Sequence, residues 1–120
     1  MRHSQNHISL SLILIIYSLH LYGAPGDLDP SFGSFGISTG GVDLIQTATV
    51  QPDDSIVVVG TFGCKSSKLA VSRFTPNGSL DTSFNGSGIQ TLLVGSTATG
   101  ESLTLQPDGK IIACGYAFES

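Results

Sequence analysis

The chain has 120 residues, a formal net charge of −4, 40% hydrophobic and 12% charged residues, 15 glycines and no tryptophan. Five Lys and Arg against nine Asp and Glu exclude a basic nucleic-acid binder, because no cluster of cations could follow a phosphate backbone. Ample apolar content with little net charge excludes a charge-driven disordered chain, and the length allows one small domain at most.

Residues 1–24 read as a secretory signal peptide. Arg2 precedes an apolar run from Ile8 to Tyr22, and the small residues Gly23 and Ala24 follow it, the order of a charged, an apolar and a cleavage region. An uncleaved membrane anchor is the competing reading. The run is interrupted by Ser9, Ser11, Ser18 and His20, and it falls short of the ~20 apolar residues that a spanning helix needs. Cleavage is expected after Gly23 or Ala24, although Leu21 or Tyr22 then stands where a small residue is usual. No Cys follows Gly23, so lipid attachment at a new N-terminal cysteine is not expected. His3, His7 and His20 all lie in the removed segment. The mature chain would carry no histidine and a charge of about −5, without a Ser-His-Asp triad, a Cys-His pair or a histidine metal site. The expected location is secreted or in the cell envelope, extracellular or periplasmic, with no membrane attachment after cleavage.

The remainder is an internal repeat. GDLDPSFGSFGIST (26–39) returns as GSLDTSFNGSGIQT (78–91), 52 residues on, and TVQPDDSIVVVG (49–60) returns as TLQPDGKIIACG (104–115), 55 residues on. The three extra residues fall around Ser96–Gly100, a stretch of loop character. Unit one therefore covers 26–77, and an incomplete unit two covers 78–120.

Short strands with hairpin turns fill each unit. Gly36–Thr39 is a weak strand, repeated as Gly88–Leu93. Thr47–Gln51 and Ser102–Gln106 alternate apolar and polar residues and lead into the turns Gln51-Pro-Asp-Asp and Gln106-Pro-Asp-Gly. In these turns Pro presets φ and Asp can bond the backbone two residues on. Ser55–Gly60 and Lys110–Gly115 are β-branched or apolar runs that complete the hairpins. Lys68–Phe74 sets Leu69, Val71 and Arg73 on one face against Ala70, Ser72 and Phe74 on the other, and Pro76-Asn-Gly then turns the chain. No helical stripe appears after position 25.

Four strands in about 52–55 residues is the content of a propeller blade. The predicted fold class is all-β, with propeller-like blades of about four antiparallel strands in a partial propeller. A sandwich of hairpins would fit the strands but not the four-strand repeat. Kelch-type units have a similar length, but the Gly40-Gly41 pair becomes Leu92-Leu93 in the second copy. LDPSFGSFGI with QPDDSIVVVG, and LDTSFNGSGI with QPDGKIIACG, linked by KLAVSRFTPNGSLD, resemble the delta-60 repeat of predicted β-propeller proteins from bacteria. The resemblance covers nearly everything after Pro25 and implies an exported repetitive β protein; the family carries no established activity. The departures are Asp54 for Gly in the first turn, Asn85 for Gly after Phe84, and a second unit that stops at Ser120.

A blade buries its faces on its neighbours, so about three or more units make a stable stack and 4–8 a closed propeller. A gene that continues, a fragment, and a short chain that assembles by blade association are the three readings. The interrupted unit and the small core favour a chain cut short.

Few residues point to chemistry. Cys64 and Cys114 are not repeat-equivalent, and free or buried thiols are the favoured reading over a disulfide that export would permit. Asp27 and Asp29 could offer oxygens to calcium, but Asp27 becomes Ser79 in the second copy, so Asp29 and Asp81 read as turn formers. Asp53-Asp54 sits in a hairpin turn and becomes Asp108-Gly109. Gly60-Thr-Phe-Gly-Cys-Lys-Ser fails the phosphate-loop spacing. Asn77-Gly-Ser and Asn85-Gly-Ser are formal glycosylation sites but first of all turns. Phe32, Phe74 and Phe84 read as packing residues between blades. No catalytic residue, cofactor-binding residue or metal ligand is assigned, and no cofactor is expected.

The expected function is a non-catalytic propeller-type repeat scaffold that contacts a protein or glycan at the cell surface, with self-association through open blade edges. The alternative is the N-terminal part of a secreted propeller enzyme, a glycan lyase or sugar dehydrogenase, with its active site beyond Ser120.

Overall fold

The computed structural model describes residues 24–119. The segment 1–24, expected from the sequence to be a signal peptide, lies outside the described residues except for Ala24. Six strands follow in chain order: β1 (Leu44–Val50), β2 (Ile56–Phe62), β3 (Lys68–Phe74), β4 (Ile89–Leu92), β5 (Thr97–Leu105) and β6 (Ile111–Phe118). They form a four-stranded antiparallel meander, β1-β2-β3-β4, and a two-stranded antiparallel sheet, β5-β6. There is no helix among the described residues. The chain is all-β, one full blade and two strands of a second, the arrangement of a partial β-propeller.

The two QPD turns close their hairpins in the same way. In the first, the Gln51 N–H donates to the Ser55 carbonyl and the Asp54 N–H to the Gln51 carbonyl. The Asp53 carboxylate accepts the Ser55 N–H at 3.0 Å. In the second, the Gln106 N–H donates to the Lys110 carbonyl and the Gly109 N–H to the Gln106 carbonyl, and the Asp108 carboxylate accepts the Lys110 N–H at 3.1 Å. The departures from the repeat pattern preserve the backbone. Asp54 takes φ 65° where the second turn has Gly109 at 83°, and Asn85 takes 51° where the first copy has Gly33 at 56°. Asp and Asn are the side chains that best tolerate this left-handed region.

Several boundaries differ from those read in the sequence. β1 begins at Leu44 rather than Thr47, β5 at Thr97 rather than Ser102, and β6 runs on to Phe118. The larger correction concerns the weak strand. Gly88–Leu93 becomes β4, paired with β3 through Ser72↔Ile89 to Leu69↔Leu92. Its copy Gly36–Thr39 makes only isolated bridges between Ile37 and Gly33 or Ser34. The cause is the neighbour. A short strand of low propensity holds when β3 offers it an edge, and no strand precedes 36–39 among the described residues. The first sheet therefore closes with a strand from the second repeat unit.

Both faces of this blade are apolar, because β2 and β3 alternate two sets of hydrophobic side chains. On one face Val58, Ala70 and Phe74 pack with Val42, with Ile56 and Leu80 at the margin. On the other, Val57, Val59 and Val71 pack with Leu69 and Phe84 and with Leu103, Ile111 and Ala113 of the second sheet. Val57 and Val59 are fully buried, each contributing about 1.5–3 kcal/mol. Phe84 lies in the layer between the two sheets, as the sequence reading places it; Phe74 instead packs on the opposite face against Val42, and the half-buried Phe32 joins neither layer.

The glycine that ends each VVVG and IACG run has a steric cause. β1 carries an irregularity between Ile45 and Thr47, and β5 carries one between Gly100 and Ser102. There the neighbouring backbone closes on the facing strand. A Cβ on Gly60 would collide with the Leu44 carbonyl, and one on Gly115 with the repeat-equivalent Thr99 carbonyl. Gly60→Ala is expected to lower stability by about 2–3 kcal/mol, measured as the urea midpoint of the full chain. An unchanged midpoint would contradict the close approach.

Candidate functional site: the cleft between the sheets

The two sheets meet through the apolar layer just described and part toward the end that carries the QPD turns. A cleft of ≈ 450 Å³ opens there, lined by Gln51, Arg73, Phe84, Gln90 and Lys110 over a floor of Val71, Ile111 and Ala113. A second cleft, ≈ 180 Å³, lies among Leu69, Leu92, Ala98 and Tyr116. The first holds the polar groups.

Its centre is Arg73, on β3. The guanidinium donates from Nε to the Asp81 carboxylate at 2.7 Å and from Nη2 to the Ser83 hydroxyl at 2.9 Å. Its carbon lies 5.0 Å from the centroid of the Phe84 ring. Asp81 is held in turn by Ser83, whose N–H and hydroxyl both donate to the other carboxylate oxygen. The L-D-x-S-F motif is therefore a latch. Asp fixes the turn, Ser locks Asp, and Phe stacks beneath the cation that the link strand supplies. In the first copy Asp29 accepts the same two bonds from Ser31. The turn-forming role read for Asp29 and Asp81 is what the structure shows, and Asp53 and Asp108 likewise close their hairpins.

The carboxylates respond to these donors. The Ser83 hydroxyl holds Asp81 below the ordinary 3.8, helped by the Ser83 N–H and Arg73 against partial desolvation. The Ser31 hydroxyl does the same for Asp29. The N–H groups of Ser55 and Lys110 lower Asp53 and Asp108. These groups are ionised and engaged in turns. In the cleft, Gln51 turns its Nε2 toward the Gly109 carbonyl at 3.5 Å, while its Oε1 is buried without a hydrogen-bond partner. The lining offers the amides of Gln51 and Gln90, the Arg73 guanidinium paired with Asp81, and the Lys110 ammonium 3.0 Å from the Asp108 carboxylate.

Elsewhere, Cys64 and Cys114 are free and exposed. Among the described residues, no three His, Cys, Asp or Glu side chains gather as a metal site would require. Two features escape the sequence reading. Arg73 registers there as a strand residue, although a lone cation on a face shared with Leu69 and Val71 is a signal that a partner waits opposite. The other is Phe35. It is 83% exposed, sits at φ 53°, and replaces the repeat-equivalent Ser87. A bulky residue at positive φ is uncommon and marks a special position.

Residues 51–84 match the family described as a domain of unknown function (DUF5122) beta-propeller. The matched stretch runs from the first QPD turn through β2 and β3 to Phe84, so it contains the whole Arg73 latch and crosses from the first repeat unit into the second. The chain carries a β-propeller repeat. No curated protein and no solved structure matches it.

Asp81→Asn should flatten the acid limb of stability. A carboxyl whose folded pKa is depressed stabilises the fold above its unfolded value, and that contribution disappears as pH falls through the unfolded and then the folded pKa. The wild-type thermal midpoint should be flat above about pH 5 and fall below about pH 4. The variant should be less stable near neutrality and lose less on acidification. An acid limb as steep as the wild type's would remove Asp81 from this role.

Proposed function

We propose that the chain is an exported, non-catalytic scaffold of the delta-60 repeat type that contacts a protein or glycan at the cell surface. Phe35 carries the reading. It is an aromatic that breaks the repeat, stands almost fully in solvent and is held in a fixed turn by the Ser34–Ile37 bonds. Such a ring offers contact area at low entropic cost, stacking on a sugar face or entering an apolar pocket. The polar residues of the repeat are, by contrast, occupied in closing turns and latching Arg73. That division of labour supports binding over turnover. Secretion rests on the order of Arg2, the Ile8–Tyr22 run and Gly23-Ala24.

The test measures retention of the full chain on washed cell-envelope preparations, with parallel samples treated with protease or glycan-degrading enzymes to separate protein from glycan partners. Retention is expected, with the Phe35→Ala variant binding about tenfold more weakly. Retention unaffected by Phe35→Ala, or its absence, would overturn the reading. Release of sugar products would transfer support to the enzyme alternative. The exported product should weigh about 10 kDa after leader removal, against 12.4 kDa for the whole chain.

A further inference from the structure

We propose that Asn85 is a site of spontaneous deamidation, by attack of the Gly86 nitrogen on its side chain, and that the conversion loosens strand β4. This goes beyond the scaffold reading and does not depend on it.

The chain holds two Asn-Gly-Ser tripeptides, at 77–79 and 85–87. Glycine after asparagine puts no side chain in the way and lets the backbone bend toward the amide. The glycine nitrogen gives up its proton to water or hydroxide and attacks the asparagine Cγ. The Cγ–Nδ2 bond breaks, Nδ2 takes up a proton and leaves as ammonia, and a cyclic succinimide remains. Water then opens the ring at either carbonyl, giving aspartate or isoaspartate, and in isoaspartate the main chain runs through Cγ. The same two residues follow each asparagine, so a difference between the two sites comes from the fold.

At the first site both reacting groups are tied. The Gly78 N–H donates to the Thr75 carbonyl at 2.9 Å, and the Asn77 carbonyl accepts the Gly33 N–H at 2.7 Å. The Asn77 Oδ1 accepts from the Thr75 hydroxyl and the Ser79 N–H. Gly78 is buried, and a Cβ there would lie 2.8 Å from the Gly33 nitrogen, so this peptide has no room to swing. The second site is open. Asn85 and Gly86 are exposed, the Gly86 N–H has no acceptor among the described residues, and a Cβ on Gly86 would meet nothing within 4 Å. Asn85 sits at φ 51°, a region that costs a side chain free energy and that it relinquishes when the turn opens.

One side-chain bond links this chemistry to the sheet. The Asn85 Nδ2 donates to the carbonyl of Ile89, the first residue of β4, at 2.9 Å. Deamidation removes that donor and sets a carboxylate oxygen against a carbonyl oxygen, two acceptors facing each other. The neighbouring Gly88 carbonyl accepts the Arg73 N–H at 3.0 Å, and Ile89 pairs with Ser72, so the disturbed turn is where β3-β4 pairing begins. β4 has four residues and lies at the edge of its sheet, the kind of element that opens at low free-energy cost. The first copy carries Gly33-Ser34 at these positions, so the modification falls on one copy of the motif.

The test is incubation of the full chain under native, mildly alkaline conditions, where the amide nitrogen loses its proton more readily. Peptide mapping by mass spectrometry, with fragmentation that separates isoaspartate from aspartate, then follows each site. Asn85 is expected to convert at least about tenfold faster than Asn77, the difference set by the bonds that Asn77 and Gly78 must break first. In urea the two rates should converge. Asn85→Gly, which places there the residue type of the first copy, should abolish the fast conversion while circular dichroism still shows the β fold. Asn85→Asp should lower the thermal midpoint by about 5 °C and speed hydrogen exchange at the Arg73 amide. Equal rates in the folded chain, faster conversion at Asn77, or a difference that persists in urea would overturn the site. An unchanged midpoint with unchanged Arg73 exchange in Asn85→Asp would overturn its coupling to β4.

Discussion

A four-stranded sheet with apolar side chains on both faces cannot be buried by itself, and the rest of this molecule follows from that constraint. β2 and β3 set Val57, Val59 and Val71 toward one side and Val58, Ala70 and Phe74 toward the other. One side is met by the β5-β6 sheet and the other by Val42 and the segment that leads into β1. The first meeting joins two sheets built from the same repeat, whereas the second is made by a loop segment.

Polar residues of the repeat serve that stack. The QPD turns set hairpin register through Asp53 and Asp108, and the Asp81–Ser83 pair anchors Arg73 at the mouth of the cleft between sheets. Their carboxyls are held ionised by nearby donors, which supports turn geometry. The cleft is left with amides and cations over an apolar floor. Phe35 stands outside it as an exposed aromatic.

Much of this was legible in the residues. Turn chemistry marked both hairpins, alternation in Lys68–Phe74 assigned its two faces, and the repeat itself pointed to blades. Strand extent was less legible, because the ends of β1, β5 and β6 contain Leu44, Ile45 and Tyr116-Ala-Phe beyond the alternating cores, and their pairing depends on the facing strand. The different fates of Ile37 and Ile89 are more instructive. The sequences around them are nearly the same, yet Ile89 pairs with Ser72 of β3 and Ile37 meets only its own turn. Local sequence specifies a strand's capacity to pair; the neighbour decides whether it does. Arg73 was hidden for a related reason, since its partner Asp81 lies in the next repeat unit.

The closure of the first sheet by β4 is the feature that joins repeat, blade and interface, and cross-strand nuclear Overhauser effects test it most directly. Val71 should show contacts with Gln90, and Ser72 with Ile89, while the Arg73 amide, bonded to the Gly88 carbonyl at 3.0 Å, should exchange slowly. Contacts from β3 to Ser34–Ile37 in place of Ile89–Leu92 would contradict it, because blades would then coincide with repeat units and each sheet would close on its own copy.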